Sequence, residues 1–382
     1  MAYPLRGKTA CVGVATAGCG EAPGRNAMEI MVEAVHGALA DAQITLSEVD
    51  GLFAATAFHS MANMSLAEHL GIQPAYSNGS NIGGSSFMMH ALDAAMALEA
   101  GLINVAVIAY GSNQRTAGGF RSISEPPPFE FVYGPRNPIT AYALATSRYM
   151  HQYGCTREQL AEVAVAARKW AQLNPDAFER GDLTIEDVAK ARMISDPLTK
   201  LDCCLVTDGG AAIVMTRADR AKDCPKTPIH LLGAAMEHHH RNISSMPDLT
   251  VTATAKSGPR AFEMAGCKPA DMDTVQVYDA FTINTILFLE DLGYCAKGEG
   301  KDFVSGGRIA PGGELPVNTN GGGLSCVHPG MYGLFVMAEA IRQARGECGD
   351  RQVADAKLCL AHGNGGVLSS QVTSIWGRPE TV

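Results

Sequence analysis

The 382-residue sequence has no basic excess: 30 Lys and Arg stand against 39 Asp and Glu, giving a formal net charge of −9. Nucleic acid is held largely by clustered cations that displace its counterions, so it is not expected as a partner. No apolar run approaches the roughly 18 residues of a membrane span. The N-terminal MAYPLRGKTACVG has no signal-peptide core, and the C-terminal RPETV carries no lipidation or peroxisomal signal. A cytoplasmic protein without membrane association is the expectation. Low-complexity tracts are absent as well, and 46% hydrophobic residues supply ample surface to bury, which excludes collagen-like and disordered classes. The 11 cysteines form no C-x-x-C pair and no zinc-ribbon spacing, so they read as reduced, largely buried thiols. Adjacent His238, His239 and His240 point in different directions and are not read as a metal set; no metal is expected.

What is present is an alternation of short strands and helices, hence an α/β class. Residues 9–15, the run from Val49 and residues 103–110 read as strands, and 27–42 and 85–100 as helices. From about 115 to 200 the rhythm breaks: Pro126, Pro127 and Pro128 precede helix-like segments near 156–173 and 185–192. This reads as an inserted subdomain of the kind that carries substrate contacts. Strand character returns at 208–215, and 222–227 reads as a boundary, so the predicted division is 1–225 and 226–382.

The second part repeats the first. ALADAQITLSEVDGL from Ala38 resembles AFEMAGCKPADMDTV from Ala261, an offset of 223. A helix ending at Gly101 with the strand VAVIAYG resembles a helix ending at Gly346 with KLCLAHG, at offsets of 245 and then 252. Duplicated α/β halves pack about a pseudo-twofold axis where loops of both meet, so chemistry is expected at that juncture.

Residues 274–371 hold the most informative motifs: VQVYDAF, LPVNTNGGGLSCVHPGMYG and KLCLAHGNGG. They resemble the thiolase superfamily, specifically its sterol-carrier-protein type. Those proteins carry His-Asp-Cys-Phe at a strand end, then N-P-S-G-G, then G-H-P-x-G-x-x-G, then a Gly-rich turn near the C-terminus. DLTIEDVAKARMISDPLTKLDCCLVTDGGAA, from Asp182, is similar to the end of that family's loop subdomain. The resemblance implies a thiolase fold: two duplicated α/β halves in a layered αβαβα core, with an inserted loop subdomain, assembled as a homodimer.

Thiolase chemistry needs a cysteine thiolate to accept the acyl group, a second cysteine to move the α-proton, and donors for the oxyanions. The family's nucleophile position falls on Gly84 in SNIGGSSF, and its second cysteine on Ala280, with Tyr278 in place of the preceding histidine. The acid-base position of other thiolases, in the last Gly-rich turn, is His362. The third motif survives as Cys326-Val327-His328-Pro329-Gly330, with Tyr332 following in a register slipped by one residue; Asn318 matches the first residue of N-P-S-G-G. The resemblance therefore implies His328, Tyr278, Tyr332 and His362 as catalytic residues, and Gly84, Ser85, Asn318 and Gly322 around the thioester. Gly83–Gly84 opens a helix whose N–H groups suit an enolate oxygen. Bland readings stand beside these: Tyr278 and Tyr332 as core aromatics, His362 as a buried histidine, Ser85 and Ser86 as helix caps.

Without a nucleophile, the acyl group has nowhere to move, but chemistry that leaves the thioester intact remains open. Retro-aldol cleavage of a β-hydroxyacyl-CoA needs only a base for the hydroxyl proton and donors for the enolate, and phenols match an alkoxide better than carboxylates do. The pattern resembles steroid side-chain-cleaving aldolases, thiolase-like chains that work with an OB-fold, zinc-binding partner. Coenzyme A is then part of the substrate, with no covalently bound cofactor. Two alternatives remain: an acyltransferase with a relocated nucleophile such as Cys326, and a non-catalytic acyl-CoA or lipid-binding subunit.

Overall fold

The computed structural model describes residues 3–117 and 129–382, so the proline run 126–128 lies outside the described residues. The first half supplies β1 (Thr9–Gly20), α1 (Ala27–Ala42), β2 (Gly51–Ala54), α2 (Ala62–Leu70), β3 (Tyr76–Asn78), α3 (Ser86–Glu99) and β4 (Val105–Ser112). The insertion holds α4 (Ile139–Tyr153), α5 (Arg157–Gln172), α6 (Ile185–Lys190) and the hairpin β5 (Met193–Ser195) with β6 (Leu198–Thr199). The chain returns through β7 (Asp208–Arg217) and α7 (Ala218–Ala221). The second half runs β8 (Ile229–His238), α8 (Thr254–Ala265), β9 (Thr274–Val277), α9 (Thr282–Asp291), α10 (Gly300–Phe303), α11 (Gly333–Arg345), β10 (Leu358–Gly365) and β11 (Ser370–Gly377).

Local chemistry sets these limits. Asn26 caps α1 by accepting from the N–H groups of Met28 and Glu29, while Glu29 reaches back to the Asn26 N–H. Thr156 and Gln159 do the same for α5. The helix α4 was not anticipated: Pro138 sits at its N-cap, where a missing N–H costs nothing, rather than breaking it.

Among the described residues nine strands form one sheet in the order β3-β2-β4-β7-β1-β8-β11-β10-β9. Its centre is a short antiparallel join, Ala10 opposite His230 and Cys11 opposite Ile229. Outward from that join, β1, β7, β4 and β2 on one side match β8, β11, β10 and β9 on the other, in chain order and in strand direction. The weak sequence repeat is thus a repeat of topology. α1 covers one outer face and α8 the other, while α3 and α11 pack together and touch strands of both halves. Outer helices, half-sheet, central helices, half-sheet and outer helix make five layers. All 11 cysteines are free thiols. Among the described residues no helix is long and apolar enough to cross a membrane.

Candidate active site

Two segments meet where the halves join. Tyr278 immediately follows β9; its N–H donates to the His362 carbonyl, and the Val277 N–H donates to Asn318 Oδ1 at 2.7 Å. The second element is the loop 328–332 that opens α11. Thr207 pins it, accepting the His328 N–H at 3.0 Å and donating its own N–H to the His328 carbonyl. Tyr110 braces the same loop by donating to the Pro329 carbonyl and accepting the Met331 N–H.

Three rings converge there. Tyr278 meets His328 edge-on at 5.5 Å and Tyr332 edge-on at 5.7 Å, and His328 stacks over Tyr332 at 6.0 Å. The Tyr278 hydroxyl accepts the Tyr332 N–H at 3.1 Å and donates to the Gly330 carbonyl at 3.3 Å. The Tyr332 hydroxyl donates to Asn320 Oδ1 at 3.0 Å. Burial pushes both phenols well above their usual range. It pushes His328 down to about 4, so the imidazole is neutral at physiological pH. Its Nε2 is buried without a hydrogen-bond partner among the described residues.

A cysteine does not fit at Gly84, the expected nucleophile position. A Cβ placed there would lie 2.0 Å from Tyr278 Cε2 and 2.7 Å from the Asn364 carbonyl oxygen. The tyrosine ring thus occupies the space that a cysteine side chain would need. Ala280, the second expected cysteine position, is buried, with its carbonyl accepting the Cys204 N–H.

The structure brings Tyr278, His328, Tyr332 and Gly84 together. It does not bring His362 to them. His362 pairs with Val277 in the sheet register, so Tyr278, one residue on, faces the other side. The His362 ring lies against Phe288, with Nδ1 near Thr373 Oγ1 at 2.9 Å and Nε2 near Thr254 Oγ1 and Gln371 Oε1 at 3.0 Å. Burial takes it down to about 3. Ser85 is tied to Ser370 Oγ and the Ile82 carbonyl, and Asn318, in left-handed backbone, holds the end of β9. Gly322 lies against a carboxylate that the motif reading passed over: a Cβ on it would meet Asp279 Oδ2 at 2.0 Å. Of the histidine run, His240 turns inward, its Nε2 2.9 Å from the Val367 carbonyl.

Asp279 is fully buried and accepts the Gly323 N–H at 2.7 Å. Burial raises its carboxyl to about 7 despite these donors. Because the fold binds this proton more tightly than the unfolded chain does, its contribution is full below the ordinary carboxyl value and is lost as pH rises through the folded one. Stability should therefore fall between about pH 4 and pH 7 and level off above that, and Asp279→Asn should flatten that fall. Thermal melts over this range check it; an unchanged slope in Asp279→Asn contradicts it. The other residue missed is Asn320. Its signal was present, since it stands two residues after Asn318, where the family motif has serine.

A cavity of about 790 Å³ lies between α4 and residues 243–249, lined by Phe129, Tyr133, Leu144, Arg148, Met246 and Leu249 among others. The ring cluster does not line it. The opposite face of α4 connects the two: Tyr142 stacks on Phe281 at 4.3 Å and its hydroxyl accepts from Asn364 at 2.7 Å.

Residues 235–378 match the family model described as thiolase C-terminal domain-like. The chain is 33% identical to 17-hydroxy-3-oxo-4-pregnene-20-carboxyl-CoA lyase of Mycobacterium tuberculosis, covering 90% of this chain and 92% of that one. It is 33% identical to acetyl-CoA acetyltransferase of Methanothermobacter thermautotrophicus, covering 97% and 99%. A solved structure described as Ltp2-ChsH2(DUF35) aldolase superposes with a TM-score of 0.90 at 32% identity, over 98% of both chains.

Proposed function

Since this chain belongs to the thiolase superfamily, in its sterol-carrier-protein type, we propose that it cleaves a carbon–carbon bond in β-hydroxyacyl-CoA thioesters by retro-aldol chemistry, with no acyl-enzyme. The observation that carries this reading is the Tyr278 ring filling the space beside Gly84. A site closed to a cysteine but furnished with two phenols and a neutral imidazole suits proton transfer, not acyl transfer.

The β-hydroxyl gives up its proton, the bond between the α and β carbons breaks, and its electron pair passes into the thioester enolate. The β-carbon leaves as a carbonyl, and the α-carbon then takes a proton, so the reaction is balanced without a co-reactant. Tyr278 acts as the base in its phenolate form, which burial disfavours and the N–H it accepts favours. Its oxygen accepts an N–H at the start of the 13-residue helix α11, where the helix dipole favours negative charge. His328, neutral and with Nε2 free, can offer an N–H to the enolate oxygen in the matching tautomer. The 790 Å³ cavity, with Arg148 in its wall, suits the nucleotide end of coenzyme A.

A homodimer, with an OB-fold, zinc-ribbon protein as a further partner, belongs to the same proposal. The support for that protein is the two-component solved relative. The acetyltransferase relative keeps acyl transfer as a second reading, but Cys326 is a poor nucleophile for it. That thiol is buried and burial raises it well above its usual range.

The test is a product assay with 17-hydroxy-3-oxo-4-pregnene-20-carboxyl-CoA, with and without a candidate OB-fold partner. The expected products are the 17-keto steroid and the shortened acyl-CoA, with no thiolysis of acetoacetyl-CoA. Thiolysis would favour the transferase reading. Binding of either thioester without turnover, partner included, would favour a non-catalytic subunit.

A further inference from the structure

The Tyr332 hydroxyl makes one hydrogen bond among the described residues, to Asn320 Oδ1 at 3.0 Å. The same oxygen accepts the Gly322 N–H at 2.8 Å. A backbone N–H can only donate, so the atom facing it is the amide oxygen and not the amide nitrogen. An amide oxygen only accepts, so the phenol must donate. Its proton is therefore committed to Asn320, and what remains on the Tyr332 oxygen is lone pairs.

The rest of the network keeps Asn320 in place. Its carbonyl oxygen accepts Asn174 Nδ2 at 2.8 Å, and Asn174 Oδ1 accepts Arg351 Nη1 at 3.2 Å. Arg351 donates to both oxygens of Glu339 at 3.1 Å, and Glu339 also accepts the hydroxyl of Thr319, the residue before Asn320, at 2.7 Å. All of these residues are buried. Asn174 follows α5, so the inserted subdomain reaches the ring cluster through this chain of bonds.

We propose that Asn320 is a positioning residue that makes Tyr332 an obligate hydrogen-bond acceptor, so that the site selects β-hydroxyacyl over β-oxoacyl thioesters. This rests on the proposed function, and takes Tyr332, the second phenol of the ring cluster, as facing the reacting end of the substrate. In the bound ground state a β-hydroxyl can donate its one proton to the presented lone pairs, and that proton passes to Tyr278 only in the cleavage step. A β-ketone would set its own lone pairs against them and leave a buried acceptor unmatched, which is where polar sites discriminate most sharply. Tyr278 does not offer this selectivity, because its proton points to a weaker acceptor, the Gly330 carbonyl at 3.3 Å.

The experiment is calorimetric binding of 3-hydroxybutyryl-CoA and acetoacetyl-CoA to the full chain, read without turnover. The wild type should bind the hydroxy compound at least about tenfold more tightly. Asn320→Ala, which frees the phenol to rotate and donate, should bring the two within about twofold, while Asn320→Asp, which keeps an acceptor, should retain the preference. Should Asn320→Ala fail to fold, Tyr332→Phe must lose the preference instead. A wild type without preference, or an Asn320→Ala chain that keeps it, overturns the proposal. Failure of the functional reading shows elsewhere, as absence of carbonyl product from a β-hydroxyacyl-CoA that binds.

Discussion

Gly84→Cys, which restores the nucleophile at its expected position, should yield an unstable and inactive protein rather than a thiolase. The new Cβ would sit 2.0 Å from Tyr278 Cε2, far inside van der Waals contact. Neither neighbour can yield easily. The Tyr278 hydroxyl is held between the Tyr332 N–H and the Gly330 carbonyl, and Asn364 is tied to Tyr142 and Gln371. Overpacking of this kind costs about 1–3 kcal/mol, and more where the neighbours are fixed. The melting temperature should drop by several degrees, and acetoacetyl-CoA should not acylate the cysteine. Adding Tyr278→Ala should recover part of the lost stability by vacating the ring. A Gly84→Cys chain as stable as wild type and readily acylated would show that the ring does not close the site.

Tyr278→Phe and His328→Ala should each lower kcat for β-hydroxyacyl-CoA cleavage by about 10²–10³-fold. Tyr278→Phe keeps the ring, with its packing and its block on Gly84, and removes only a hydroxyl with two modest hydrogen bonds. Its melting temperature should fall by a few degrees at most, the cost of leaving the buried Tyr332 N–H without its acceptor, so activity assayed well below the melt reports the hydroxyl and not lost folding. The pH profile gives a further check. His328 is held down to about 4 by burial. It is then neutral, and competent, throughout the range above about pH 5, and activity should fall on the acid side only below that. An acid limb near the ordinary histidine value that vanishes in His328→Ala would mean that this ring is solvated and charged in the working enzyme.

The sequence made the architecture legible because the two halves obey one pattern. The constant offset between Ala38 and Ala261 proved to be the α1–β2 and α8–β9 connections of matched half-sheets. The motifs, separately, named Tyr278, His328 and Gly84, whose side chains and backbone the structure brings together. Two things were not legible. His362 sits in β10, in a sheet buried on both faces, where alternation does not say which side a residue faces. The conflict between Gly84 and Tyr278 is a contact between residues almost two hundred positions apart, and only the packing of α3 against α11 and β10 reveals it. The insertion was half legible. Its capped helix α5 was read closely, whereas α4, which begins directly after Pro138, was not read at all.

The central claim is carbon–carbon cleavage with no acyl group on the protein. It is tested most directly by the intact mass of the chain, quenched during turnover of a β-hydroxyacyl-CoA. The expected spectrum shows the unmodified chain while carbonyl product and shortened acyl-CoA accumulate. A mass increase equal to the acyl group, mapping to any of the 11 cysteines, would contradict the account.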